Sequence, residues 1–116
     1  MTKGLSKLQL SILRLAYAKR PLRRRVDVFT DELLIGCFGF EPEYARDMNG
    51  RFYFSQAAIG RGRYNSARAS LSRALLRLEQ RGLGVQHRGI VKWSGFTLSE
   101  AGVEAVEREA AWSDAT

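Results

Sequence analysis

The chain has 116 residues, the length of a single domain, and its 45% apolar content excludes a disordered chain. Its formal charge is +7, from 19 Lys+Arg against 12 Asp+Glu, and only Lys3, Lys7, Lys19 and Lys92 are lysines. No run approaches the ~18 apolar residues of a membrane span, and the single Cys37 excludes an intrachain disulfide.

An arginine-rich basic domain points to a nucleic-acid or other polyanionic partner, because the guanidinium fork fits phosphates and guanine edges. The opening stretch MTKGLSKLQLSILRLAYAKR lacks a long apolar centre and a small-residue cleavage site. It reads as a folded helix rather than a signal peptide, and a cytoplasmic location is the expectation. Cys37 lies in the apolar run LLIGCFGF and reads as a buried structural thiol.

Leu5, Leu8, Ile12, Leu15 and Ala16 recur at helical spacing and predict a helix from Leu5 to about Lys19. Leu10, Leu13 and Tyr17 form a second apolar strip beside them. A helix apolar on two sides either lies deep in a core or meets a second chain. A homodimer through Leu10, Leu13, Tyr17 and Trp112 is therefore one of two readings. Pro21 ends the helix. The run KRPLRRR, residues 19–25, reads either as a solvated loop at a helix C-terminus or as a phosphate-contacting loop.

Val26 to Phe29 reads as a short strand. Thr30 is the expected cap of a short helix, DELLIGCF, with Asp31 and Glu32 in its first turn and Gly39 and Pro42 as its stop. Residues 41–50 are polar and turn-rich, ending on the Asn49-Gly50 turn signal. RFYF, residues 51–54, reads as a brief extended segment. Ser55 then caps a helical turn, QAAI, that Gly60 ends. GRGR, residues 60–63, reads as a hinge; its spacing matches neither a P-loop nor a dinucleotide fingerprint.

Residues 64–82, YNSARASLSRALLRLEQRG, predict the central helix. Ala67, Leu71, Ala74, Leu75 and Leu78 share one face. Ser66, Ala69, Ser70, Arg73, Arg77 and Gln80 lie roughly opposite, flanked by Asn65 and Arg68. A helix shaped only for solubility would mix glutamates among its cations to form i,i+4 pairs. Here no acid appears before Glu79, and the small residues would let the backbone approach base edges. Leu76 lies off the core stripe.

Gly82 ends that helix. Leu83 and Val85 open an extended stretch, residues 86–92 form a polar turn, and Trp93 to Leu98 is the return strand. His87 has no cysteine or acidic cluster near it in sequence and reads as a surface histidine near phosphate rather than a metal ligand. Ser99 caps a last helix, SEAGVEAVEREAAW. Val103, Val106 and Ala110 are its expected core stripe, with Ala101, Ala105 and Trp112 on the other side.

Residues 71–102, LSRALLRLEQRGL followed by a short hairpin and then LSEAG, resemble the winged helix-turn-helix of MarR-type bacterial transcriptional regulators. In that family a helix written roughly S-R-x-x-x-x-L-E-x-x-G-L reads the major groove. A basic β-hairpin wing follows, and an L-T/S-x-x-G step opens the next helix. Ser72, Arg73, Leu78, Glu79, Gly82 and Leu83 fall on this pattern, as do Leu98, Ser99 and Gly102. The resemblance implies a mainly α fold with a small β-hairpin, a winged helix-turn-helix spanning residues 1–116. It also implies that the helix before the reading helix is 31–38 or the short turn 55–59. If it is 31–38, the insert 39–63 departs from the family pattern and reads as a second DNA-contacting loop.

The expected function is that of a DNA-binding protein, a small transcriptional regulator. Helix 64–82 would read bases in double-stranded DNA through Asn65, Ser66, Ala69, Ser70, Arg73 and Arg77. Arg61, Arg63, Arg68, Arg88 and Lys92 would hold phosphates, the last two on a wing spanning 85–98. The alternatives are a winged-helix module for protein assembly or RNA, or a replication or mobile-element accessory protein. No catalytic role is expected: the one histidine and one cysteine lie far apart, and the acids are scattered. No cofactor and no metal are implied.

Overall fold

The computed structural model describes residues 4–22, 26–45, 51–87 and 94–115, with side chains as far as residue 109. The chain is mainly helical with small antiparallel sheets. In chain order it runs α1 (Lys7–Lys19), β1 (Val28–Phe29), α2 (Thr30–Phe38), β2 (Tyr44–Ala45), β3 (Phe52–Tyr53) and α3 (Gln56–Ile59). It continues through α4 (Arg61–Gln80), β4 (Gly84–His87), β5 (Gly95–Leu98) and α5 (Glu100–Ala115).

Helix α1 starts two residues later than its apolar spacing predicts, because Ser6 caps it. The Ser6 hydroxyl accepts from the Gln9 amide at 3.1 Å, and the Gln9 side chain accepts from the Ser6 amide at 3.0 Å. A single 3-10 turn, Arg20–Leu22, carries Pro21 and ends the helix as expected. Ile12, Leu13 and Ala16 are fully buried. Of the second apolar strip, Leu13 is core, and the half-buried Tyr17 donates its hydroxyl to Glu107 Oε2 of α5 at 2.9 Å. This removes Leu13 as a surface for a second copy. Leu10 is half-buried, and the Trp112 side chain lies outside the described residues.

Thr30 is not the cap of α2. That position falls to Phe29, whose amide donates to Glu32 Oε1 at 2.9 Å. Glu32 also takes the Lys19 ammonium at 3.2 Å, so the first cation of the basic run is committed to a buried carboxylate. Arg23, Arg24 and Arg25 lie outside the described residues.

One sheet has the order β1-β5-β4, antiparallel throughout, with Val28 opposite Phe96 and Gln86 opposite Phe96. Phe96, the middle residue of this register, is fully buried. Buried Asp27 locks the sheet to the chain before it: its carboxylate accepts from the Leu98 amide at 2.8 Å, and its own amide donates to the Phe96 carbonyl at 3.1 Å. The second sheet is the ribbon β2–β3, with Tyr44 opposite Tyr53. Strand β2 lies in the segment read as turn. It is two residues long and exposed, so it leaves no alternation in the sequence. The Asn49-Gly50 turn lies outside the described residues.

The core joins α1, α2 and α4 to the three-stranded sheet, with Val106 of α5 added at its edge. Helix α5 turns Val103 and Val106 of its expected stripe to the core, and Ala105, expected on the other side, is buried beside them. Val106 and Ala105 are buried together, Val103 is half-buried and Ala101 exposed. Ala110 lies outside the described side chains. No helix among the described residues is long and apolar enough to cross a membrane.

Candidate nucleic-acid interface

Helix α4 begins at Arg61, so the GRGR segment is its first turn rather than a hinge. The turn is made at Gly60 alone. Its φ of 103° is a region that L side chains rarely adopt, and it lets α3 end and α4 begin at one residue. The Gly60 amide donates to the Gln56 carbonyl at 2.8 Å, and the Tyr64 amide donates back to the Gly60 carbonyl at 2.9 Å. Both helices considered as the partner preceding α4 therefore meet it. Helix α3 adjoins it through Gly60, and α2 packs against it across residues 39–60.

The buried face of α4 is Tyr64, Ala67, Leu71, Ala74, Leu75 and Leu78. Every residue expected to contact DNA from this helix is outside the core. Arg61, Arg63, Asn65, Ser66, Arg68, Ala69, Arg73 and Arg77 are exposed, and Ser70 is half-buried. Three arginines are partly ordered by neighbours. Arg63 lies 5.3 Å from the Phe40 ring centre. Arg68 lies 5.7 Å from the Tyr64 ring centre and donates to the Tyr64 hydroxyl at 3.2 Å. Arg73 donates to the Ser70 hydroxyl at 3.3 Å. Each keeps further guanidinium N–H groups for another acceptor.

The only acid of α4 is turned aside. Glu79 is half-buried and accepts from the Gln86 amide of β4 at 3.1 Å. This bond fixes the end of α4 to the start of the hairpin and leaves the outward face without a carboxylate. Ser72 and Leu76 are also exposed on this helix, Leu76 by 42%. Neither was expected to have a role, because helical period alone does not distinguish a flank from an outward face.

Beside α4 lies an open cleft of about 720 Å³. It is lined by Arg68, Ser72 and Leu76 of the helix, by Phe52, Tyr53 and Phe54 of the insert, by Thr30 and Asp31 at the start of α2, and by Gln86, His87 and Ser94 from the sheet region. Sequence patterning could not reveal this cleft, since its walls come from segments far apart in the chain. His87 is not a free surface histidine. It is half-buried, with Nε2 2.7 Å from the Thr97 hydroxyl. Arg88 and Lys92 lie outside the described residues.

Cys37 is half-buried, and burial pushes its thiol up to about 11. This is the behaviour of an unreactive structural thiol. Among the described residues no three His, Cys, Asp or Glu side chains converge as a metal site requires. Comparison of the chain with protein-family models, curated proteins and solved structures finds no match to any of them.

Proposed function

We propose that this chain is a winged helix-turn-helix DNA-binding protein, a small regulator of transcription resembling the MarR type, with α4 as its reading helix. The observation that carries this reading is the outward face of α4. It holds Arg73 and Arg77 beside Asn65, Ser66 and Ala69, and its one acid is bonded away to the Gln86 amide. An α-helix about 10–12 Å wide fits the major groove of B-DNA. There an arginine makes paired hydrogen bonds to guanine O6 and N7, an asparagine does so to adenine, and a small or apolar side chain meets the thymine methyl. Arg61, Arg63 and Arg68 are the phosphate partners.

The order of elements supports the same reading. A three-helix set with a hairpin following α4 directly, and a sheet ordered β1-β5-β4, suits a reading helix flanked by a wing.

The test is selection of bound duplexes from random DNA with the full chain, read at two salt concentrations. A defined motif is expected, with affinity falling steeply as salt rises. Enrichment of no duplex, or tighter binding to structured RNA than to any duplex, would overturn the reading.

A further inference from the structure

We propose that Phe52, Tyr53 and Phe54 of the insert build one side of a strand-holding cleft. One sugar-phosphate backbone of a bound duplex lies between Tyr53 and the Arg68–Ser72 side of α4. This rests on the reading of α4 as the DNA-contacting helix and adds to it Ser72, Tyr53 and the side chain of Gln86, none of which that reading uses.

The cleft opens beside the outward face of α4, because Arg73 and Leu76 belong to both. A duplex seated on that face brings a backbone over the cleft. Arg68 and Ser72 are one helical turn apart and therefore neighbours on one flank. The Arg68 guanidinium is already held over the Tyr64 ring, with one N–H given to the Tyr64 hydroxyl. It meets an incoming phosphate with its orientation set and donors to spare.

The insert side of the cleft is equally fixed. Tyr53 is 37% exposed, yet its ring stacks on Tyr44 with centres 5.0 Å apart and planes 13° from parallel. Its strand is tied to α2 by the Phe52 amide, which donates to Asp31 Oδ2 at 2.9 Å. The Glu43 amide donates to the Tyr53 carbonyl at 2.8 Å. A ring held this way presents a flat apolar face to a deoxyribose without first losing rotamer freedom.

Charge favours the same occupant. Two guanidiniums, Arg68 and Arg73, line the cleft against one carboxylate, Asp31, and that carboxylate is already capped by the Phe52 amide. The Gln86 side-chain nitrogen, Nε2, is buried and has no hydrogen-bond partner among the described residues. A buried donor without a partner costs free energy that an acceptor oxygen relieves.

The experiment uses the full chain and a duplex that it enriches from random DNA, prepared with one neutral methylphosphonate linkage moved along each strand. One or two adjacent linkages on one strand are expected to weaken binding about tenfold. Their effect is expected to vanish in Arg68→Ala, since the two changes remove the same contact. Tyr53→Ala, checked by its melting curve, is expected to weaken every duplex by a similar factor and leave the enriched motif unchanged.

If the wild-type chain enriches no duplex, the reading of α4 falls and this proposal with it. If it enriches one but Tyr53→Ala binds as tightly as wild type, the cleft proposal alone falls. Non-overlapping effects of Arg68→Ala and every neutral linkage would also overturn it. So would displacement of the duplex by free deoxynucleotide monophosphate at its own binding concentration, which would make the cleft a nucleotide site instead.

Discussion

Gly102 lies against the carbonyl of Leu83 so closely that a Cβ at position 102 would overlap that oxygen. The contact joins the first turn of α5 to the short link between α4 and β4. Ser99 reinforces it from three directions. Its amide donates to the Leu83 carbonyl at 3.1 Å, and its hydroxyl donates to the Gly82 carbonyl at 2.6 Å. The same hydroxyl accepts from the Gly102 amide at 3.1 Å. Two short sequence steps, Gly82-Leu83 and Ser99 to Gly102, thus form one joint. It sets where α4 ends relative to the hairpin.

Gly102→Ala is expected to destabilise the chain by about 1–3 kcal/mol, the range for forcing an extra group into a packed site. The partner is backbone, so no side-chain rotation relieves the overlap. A urea midpoint indistinguishable from wild type would contradict this. Ser99→Ala, which loses the cap and the Gly82 bond but adds no clash, is expected to cost about 1 kcal/mol.

Asp27 ties the segment before β1 to the far end of β5 through the Leu98 amide. Asp27→Ala leaves that buried N–H without a partner and is expected to cost about 1–3 kcal/mol. Asp27→Asn keeps an acceptor oxygen in place and is expected to cost less. Equal losses in the two variants, measured by denaturant titration, would show that the Leu98 bond is not what the carboxylate contributes.

On α4, the outward and lateral arginines are expected to separate by readout. Arg73→Ala should reduce preference for an enriched duplex over a scrambled one by about 1–3 kcal/mol, as loss of a paired base contact does. Arg61→Ala should weaken both duplexes alike and reduce the salt slope by about 0.9. Fluorescence anisotropy titrations at several salt concentrations distinguish them. Unchanged preference in Arg73→Ala would remove that residue from base contact.

Cys37 has its thiol held above its ordinary value, at about 11, because burial disfavours the thiolate. The folded state therefore holds its proton where the unfolded state has lost it. Stability from this group is fully present below about pH 9, the unfolded value, and is lost as pH rises toward 11. Melting curves across that window should decline less in Cys37→Ala than in wild type. Iodoacetamide at pH 8 should label the native thiol far more slowly than the denatured one.

The apolar period alone determined that α1 and α4 are helices and which face of α4 is core. Ala67, Leu71, Ala74, Leu75 and Leu78 are all buried, as their spacing requires. It also determined that exposed arginines and small residues share the opposite face. Turn chemistry located the end of α1 at Pro21 and of α2 at Gly39, because these signals act within a few residues.

What the sequence could not determine depends on neighbours distant in the chain. The second strip of α1 fits either a core or a partner surface by spacing alone, and packing is what makes its Leu13 core and sets Glu107 of α5 beside Tyr17. His87 reads as a surface group until strand pairing sets Thr97 beside its ring. The ribbon β2–β3 is too short to imprint a period. The cleft gathers Tyr53, whose neighbour Phe52 is bonded to Asp31 of α2, and Arg68 of α4, residues from segments far apart in the chain. Local pattern records which side of an element is apolar. Only the packing of separate elements decides what stands beside the polar side.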